Sequence, residues 1–336
     1  MTIKDIAERC GVSVSTVSRV LNNHPDVSDA VREKVLEKVR ELHYIPNNSA
    51  RDLVKPQSNT IGLVVRGVGN PFFTKVIRSI ENSVGNAGYD LIFHQIPSGE
   101  DELGAGASLV QSKKLRGLIL LGGCFDYSRE QTAVLKVPYV CCSYTNSFGG
   151  LKNSEYSSVT INDHKEAYKA VSHLISQGHK KIAVLLDSVC DHSISELRYN
   201  GYIQALKDNG IAFDEGLVEE TMGFDMFSAY NSMNRLIARR DDFTAIFVIS
   251  DSMAMAAMKA LNDNGRKVPD DCSVIAIDGI EMSAYTVPTL TTLVQPAEEI
   301  GSTSVDILLD MINKKVKNRH VELETTLRNG ESVRAL

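Results

Sequence analysis

From Thr60 onward the chain repeats one unit: an apolar run of strand length, a loop, then a helical pattern with one apolar face. Ile61-Gly62-Leu63-Val64-Val65 opens the series, and a helical pattern follows from about Pro71. Residues 89–94, 117–121, 137–142, 181–186, 245–249 and 273–277 continue it as further strands. Runs without polar alternation are what strands covered on both faces of a parallel sheet require. Residues 164–177, 195–209, 227–238 and 252–264 read as the intervening helices. This alternation predicts an α/β architecture of doubly wound parallel sheets, whose ligand sites lie at the carboxyl ends of the strands.

The first 21 residues do not follow that rhythm. Thr2 is placed to cap a first helix, with Asp5 answering it as in a capping box, while Ile6 and Ala7 face inward. Gly11 supplies a turn, and Ser13 caps a second helix with Val17, Val20 and Leu21 on one stripe. Ser15, Ser18 and Arg19 occupy the opposite face, and small polar residues beside one arginine suit a DNA major groove. An ordinary helical hairpin has the same spacing. A third helix is expected over residues 29–43, capped by Ser28, with Val31, Val35, Val39 and Leu42 inward, and stopped by Tyr44-Ile45-Pro46. Residues 47–55 read as a brief helix with only Ala50, Leu53 and Val54 apolar, too short to hold by itself. It either pairs with a two-fold mate on DNA or is a frayed linker.

The run Thr2-Ile3-Lys4-Asp5-Ile6-Ala7, then Gly11-Val12-Ser13-Val14-Ser15-Thr16-Val17-Ser18-Arg19-Val20-Leu21-Asn22, then Pro46-Asn47 with Ala50-Arg51 and Leu53, resembles the lactose/galactose repressor (LacI/GalR) family, over essentially the whole chain. The resemblance implies a dimeric, cytoplasmic repressor that binds operator DNA, with a helix-turn-helix headpiece at 1–46 and a hinge helix and linker at 47–59. It also implies a core of two lobes like a periplasmic sugar-binding protein, one of residues 60–161 plus 291–320, the other of 162–290 plus 321–336. The family's base-reading positions fall on Val14, Ser15 and Arg19, and Thr2, Thr16, Ser18 and Asn22 complete the headpiece's DNA face. In the hinge the DNA-contacting positions are Asn47, Ala50, Arg51 and Leu53. Leu53 matches the family's wedge, which unstacks a base step and kinks the duplex.

Ligand candidates follow the strands. Asn70-Pro71-Phe72-Phe73 matches the mouth of the family's pocket, with the rings available to stack on a sugar or base, although Phe72 reads equally as a core aromatic. Arg198, at a helix start after His192 and Ser193, matches the family's arginine that fixes ligand oxygens through its planar five-donor fork. Phe227 matches a stacking aromatic, and Asn162 and Asp163 stand at the lobe boundary. Ser250-Asp251, Asp278 and Gln295 complete the ligand set, with capping of the following helix an equally ordinary use of Asp251. Many relatives carry Asn-Asp where this chain has Ser250-Asp251, and Gly279 replaces a frequent acid or asparagine. A sugar is the effector expected, with a purine or phosphosugar acting as corepressor the alternative. His192 or Arg66 would serve a phosphate.

Six cysteines, at 10, 124, 141, 142, 190 and 272, form no CxxC pair and no metal spacing, as reduced buried thiols would. No phosphate loop, GxGxxG, HExxH or GxSxG elbow is present, so no catalytic residue, metal or cofactor is expected. Neither a signal peptide nor a bilayer-length apolar run is apparent, which separates this chain from a plain exported sugar-binding protein. The formal charge is −6, with nine basic against eight acidic side chains in residues 1–59 and 27 against 34 in the rest. A headpiece of +1 is no basic tail, so DNA affinity has to come from where its cations point and from doubling the chain.

Overall fold

The computed structural model describes residues 2–21, 24–42, 58–67 and 69–336. The chain divides into Met1–Ser58 and Asn59–Leu336.

In the first unit, α1 (Ile3–Cys10), α2 (Val14–Leu21) and α3 (Asp29–Glu41) close over Ile6, Ala7, Cys10, Val17, Val20 and Val35. The Thr2 amide donates to the Asp5 carboxylate at 2.7 Å, Gly11 turns the chain at φ +62°, and Ser13 Oγ accepts from the Thr16 amide at 3.1 Å. Both helix starts are therefore capped as the sequence requires. Along α3 only Val35 is fully buried. Val31, Val39 and Leu42 are half covered, because three short helices make too little core to enclose the whole stripe.

The second unit holds two six-stranded sheets. The first contains β1 (Thr60–Arg66), β2 (Asp90–Ile96), β3 (Gly117–Leu121), β4 (Tyr139–Cys142), β5 (Ser157–Ile161) and β11 (His320–Leu323), in the order β11-β5-β4-β3-β1-β2. The second contains β6 (Ile182–Leu186), β7 (Val218–Glu220), β8 (Ala245–Val248), β9 (Ser273–Asp278), β10 (Thr291–Val294) and β12 (Thr326–Arg328), in the order β12-β10-β9-β8-β6-β7. All pairings are parallel except β10 with β12. The helices are α4 (Phe72–Asn86), α5 (Glu102–Lys113), α6 (Arg129–Thr132), α7 (Asp163–Ser176), α8 (Ile194–Asp208), α9 (Met226–Arg239), α10 (Asp251–Asp263) and α11 (Ala297–Lys314).

Strands β3, β4, β6, β8 and β9 are buried along their whole length, as their apolar runs demand, and β5 is equally buried although Ser157, Ser158 and Thr160 interrupt its apolar pattern. The strand expected at 89–94 is instead a sheet edge: β2 leaves most of its residues exposed or half exposed, Phe93 among them, since no neighbour covers its outer side.

The lobe boundaries expected at 291 and 320 need correction. Thr291–Val294 extends the second sheet, with Val294 opposite Asp278 and the Gln295 amide donating to the Asp278 carbonyl at 3.1 Å. Thus 291–294 belongs to the lobe of 162–290. His320–Leu323 pairs with β5 in the first sheet, fixed by Ser158 Oγ against His320 Nδ1 at 2.8 Å, so 321–323 leaves the lobe to which it was assigned. Between them α11 packs on α4, where Ser79 Oγ donates to the Glu298 carbonyl at 2.6 Å. The chain passes between lobes after β5, between β10 and α11, and between β11 and β12. Such crossings put the carboxyl ends of both sheets against one cleft.

Candidate functional site

On the headpiece, α2 presents the expected face. Val14, Ser15 and Arg19 are exposed, Thr16 and Ser18 half exposed, and Thr2 is exposed at the start of α1. The hydroxyls are not idle: Ser13 Oγ lies 2.7 Å from Ser15 Oγ and 2.8 Å from Thr16 Oγ1. Arg19 Nη1 is 3.3 Å from Asp26 Oδ2, both exposed. An exposed pair of this kind is worth at most about 1 kcal/mol, so the guanidinium can leave it for a base edge. Asn22, Asn47, Ala50, Arg51 and Leu53 lie outside the described residues.

In the core, Asp278 ends β9 with its backbone at φ +145°, a conformation that side chains other than glycine seldom adopt. Strain of about 1–3 kcal/mol at a non-glycine residue is characteristic of functional positions. The carboxylate is buried and collects donors from both lobes. Asn70 Nδ2, after β1 in the first lobe, reaches Oδ2 at 2.9 Å, while Gln295 Nε2 reaches Oδ1 at 2.8 Å and Arg198 Nη1 stands 4.0 Å from Oδ1. Arg198, the fifth residue of α8, is itself buried. Its Nε and Nη2 hold Asp163 Oδ1 at 2.9 and 2.8 Å, and Nη1 donates to the Ile249 carbonyl.

Two buried acids thus share one guanidinium. Burial pushes the Asp278 carboxyl up to about 7 despite Arg198, with the nearby Asp251 charge adding to the rise. Asp163 is raised as well, by burial that outweighs Arg198. The group is a high-energy arrangement held in place by hydrogen bonds, able to accept hydroxyl donors at Asp278 and to donate from Arg198.

Beside it lies a cavity of about 500 Å³ between the lobes, lined by Pro71, Phe72 and Thr74 at the start of α4, by Asp278, Gly279 and Ile280, and by Gln295 and Ala297 at the start of α11. That volume is in the range of small-molecule sites. Of the expected ligand residues, Phe72, Asp278 and Gln295 line it, and Asn70 and Arg198 join through Asp278.

The remaining candidates are placed differently. Phe73 packs over Gly122 of its own lobe. Ser193 caps α8, accepting from the Ser195 amide at 3.0 Å and donating to Asp191 at 2.6 Å. Ser250 caps α10, and the alternative of Asp251 as that cap is not met. Asp251 instead accepts from the Ile280 amide at 2.9 Å, Ser283 Oγ at 2.6 Å and Thr292 Oγ1 at 2.5 Å. These three donors all belong to its own lobe. Phe227 is 77% exposed at the start of α9, so as placed its ring has no pocket. His192 joins the lobes at the rim: it stacks on Phe148 at 5.0 Å and lies 3.4 Å from Asp126.

Asp126 and Phe148, which follow β3 and β4, were missed because loop residues carry no periodic signal. Thr74, in the first turn of α4, was missed because a threonine there gives no signal apart from the helix start itself.

Among known proteins, the family model described as "Bacterial regulatory proteins, lacI family" matches residues 2–47, and "Periplasmic binding protein-like domain" matches 171–333. The chain is 41% identical over 334 residues to the HTH-type transcriptional regulator MalR of Clostridium butyricum, covering 99% of both. It is 34% identical to the HTH-type transcriptional repressor PurR of Erwinia tasmaniensis, over 99% of this chain and 96% of that one. The Lac repressor dimer bound to operator and the anti-inducer ONPF superposes with a TM-score of 0.82 at 27% identity, covering 100% and 99%. A complex of the regulator CelR with cellobiose superposes with a TM-score of 0.73 at 28% identity, covering 99% of each.

A three-helix DNA reader joined to a two-lobed binding core defines a ligand-responsive transcription factor. The chain belongs to the lacI family of bacterial regulatory proteins. It is a DNA-binding transcriptional repressor whose core takes a small effector, and the relatives named are regulators rather than enzymes. Among the described residues no helix is long and apolar enough to cross a membrane.

Proposed function

We propose that this repressor works in the cytoplasm as a homodimer on a two-part operator, and that its effector is an uncharged sugar bound between the lobes at Asp278. The observation that carries this reading is the strained, buried Asp278 carboxylate, which takes donors from both lobes beside the 500 Å³ cavity. A sugar's vicinal hydroxyls are donors and acceptors, and suit a carboxylate with an arginine next to it. Charge argues against a phosphosugar. Among the described residues, Glu281, Glu298 and Glu299 line the cavity with Lys75 as its one cation, while Asp126 lies 3.4 Å from the His192 ring and Glu196 accepts from the His192 backbone amide. The cellobiose bound to CelR and the name of MalR support the same class.

Sugar binding changes the relation of the lobes and thereby weakens operator binding, with Leu53 in the hinge transmitting the change. By linkage, operator weakens the sugar by the same factor. Met282, Tyr285 and Val287, all exposed on one turn of the second lobe, support a homodimer, as does the near-neutral headpiece, which reads one half-site.

Calorimetric titration of the full chain with maltose, cellobiose and ribose, beside glucose 6-phosphate and hypoxanthine, tests the effector class. Binding of a neutral sugar that is lost in Asp278→Asn is the expected result. Preference for hypoxanthine would favour the purine reading, for which the PurR relatives stand.

A further inference from the structure

Asn70 sits where two demands fix both ends of its amide. Its Oδ1 accepts from the Phe72 amide at 3.0 Å, at the start of α4, and its Nδ2 points at Asp278 Oδ2 at 2.9 Å. A backbone amide needs the oxygen and a carboxylate needs the nitrogen, so the side-chain orientation is determined without ambiguity.

The donors around Asp278 differ in which lobe carries them. Arg198 belongs to α8, and Gln295 directly follows β10, so both stay with the second sheet. Asn70 follows β1 and belongs to the first lobe. Among the described residues, the Asn70 amide is the one donor on this carboxylate that crosses between the lobes. It also faces the cavity side, since Pro71 and Phe72 next to it and Asp278 itself form the cavity wall.

We propose that Asn70 is a built-in competitor of the effector: its amide takes the Asp278 oxygen that a ligand hydroxyl needs, bolts the two lobes together, and so sets the concentration at which the repressor responds. This rests on the reading of Asp278 as the effector's acceptor. The bond is intramolecular, so an incoming hydroxyl must displace it, and part of its own hydrogen-bond free energy is spent on the exchange. Asn70 therefore acts on affinity with the opposite sign to a residue that holds the ligand.

Asn70→Ser tests this. Serine keeps an acceptor for the Phe72 amide but is too short to reach Asp278, and thermal unfolding of Asn70→Ser and of Asn70→Ala verifies that both fold. In calorimetric titration of the full chain with maltose and cellobiose, the expected result is about tenfold tighter binding in Asn70→Ser than in the parent. Unchanged or weaker binding overturns the proposal, the latter making Asn70 a ligand contact. A second arm uses no sugar. On operator DNA selected from a random pool, Asn70→Ser is expected to shift affinity at least threefold in the parent background and to have no further effect in Asp278→Asn. An unshifted operator affinity overturns the bolt. If neither sugar binds the parent chain, the sugar reading falls, while the operator arm still decides whether Asn70 and Asp278 join the lobes.

Discussion

Arg198 and Asp163 form an ion pair almost closed to water: Nη2 and Nε lie 2.8 and 2.9 Å from one carboxylate oxygen, with the side chains 3% and 4% exposed. The pair ties the fifth residue of α8 to the first residue of α7, and the same guanidinium stands 4.0 Å from Asp278. The arginine expected from sequence to hold ligand is therefore also a structural element of its lobe.

Arg198→Ala is expected to abolish sugar binding and to destabilise the core as well, by about 3–5 kcal/mol, because two acids lose their common cation in a buried place. Urea denaturation followed by circular dichroism measures the loss. A change below about 1 kcal/mol would mean that the site relaxes or admits water and that the arginine serves ligand alone.

Asp278 predicts a pH dependence. Its carboxyl is pushed up to about 7 by burial, whereas an unfolded aspartate titrates near about 3.9. The folded protein holds this proton more tightly, so the stability it contributes is complete below the unfolded value and is lost as pH rises through about 7. Between pH 5 and 8 the parent should lose stability relative to Asp278→Asn, at no more than about 1.4 kcal/mol per pH unit. His173 and His179, lowered by burial, work in the other direction but are common to both proteins and cancel. Parallel stability curves would show that Asp278 stays charged throughout.

Gly201 brings α8 against α7 where a Cβ would run into the His164 carbonyl oxygen and crowd the Ala167 Cβ. A backbone carbonyl cannot swing aside as a side chain does. Gly201→Ala should cost about 1–3 kcal/mol even though alanine is the better helix former. Equal or higher stability would show that the helices separate without loss.

Arg19→Ala should weaken binding by about 1–3 kcal/mol at one base pair of the operator, with little effect at other positions. Competition binding against singly substituted operators reads this directly. Uniform weakening across all of them would reassign Arg19 to a phosphate.

Seven of the strands with the helices that follow most of them, and the three-helix headpiece with its caps, were legible in the sequence, whereas β5, β7, β10, β11 and β12 were not read there, and Asp278, Arg198 and Gln295 were marked by the family resemblance. The elements and caps rest on local chemistry: apolar runs at strand length, a glycine where φ is positive, a polar residue at a helix start. Sequence also marked Ser193 and Ser250 as candidates, since a cap and a ligand contact call for the same residue type at the same place.

Only the tertiary structure decided between those uses. Asp251 turns into its own lobe to hold Ile280, Ser283 and Thr292, a choice made by residues some thirty to forty positions away. Placement of 291–294 and 320–323 in opposite sheets depends on pairing with β9 and β5, and a strand of four residues does not carry in its own pattern which distant partner it will meet. Above all, the meeting of Asn70 with Asp278, 208 positions apart, exists because two lobes face each other across a cleft. Local periodicity fixes which side of an element is buried, and the contest among long-range pairings fixes what it is buried against.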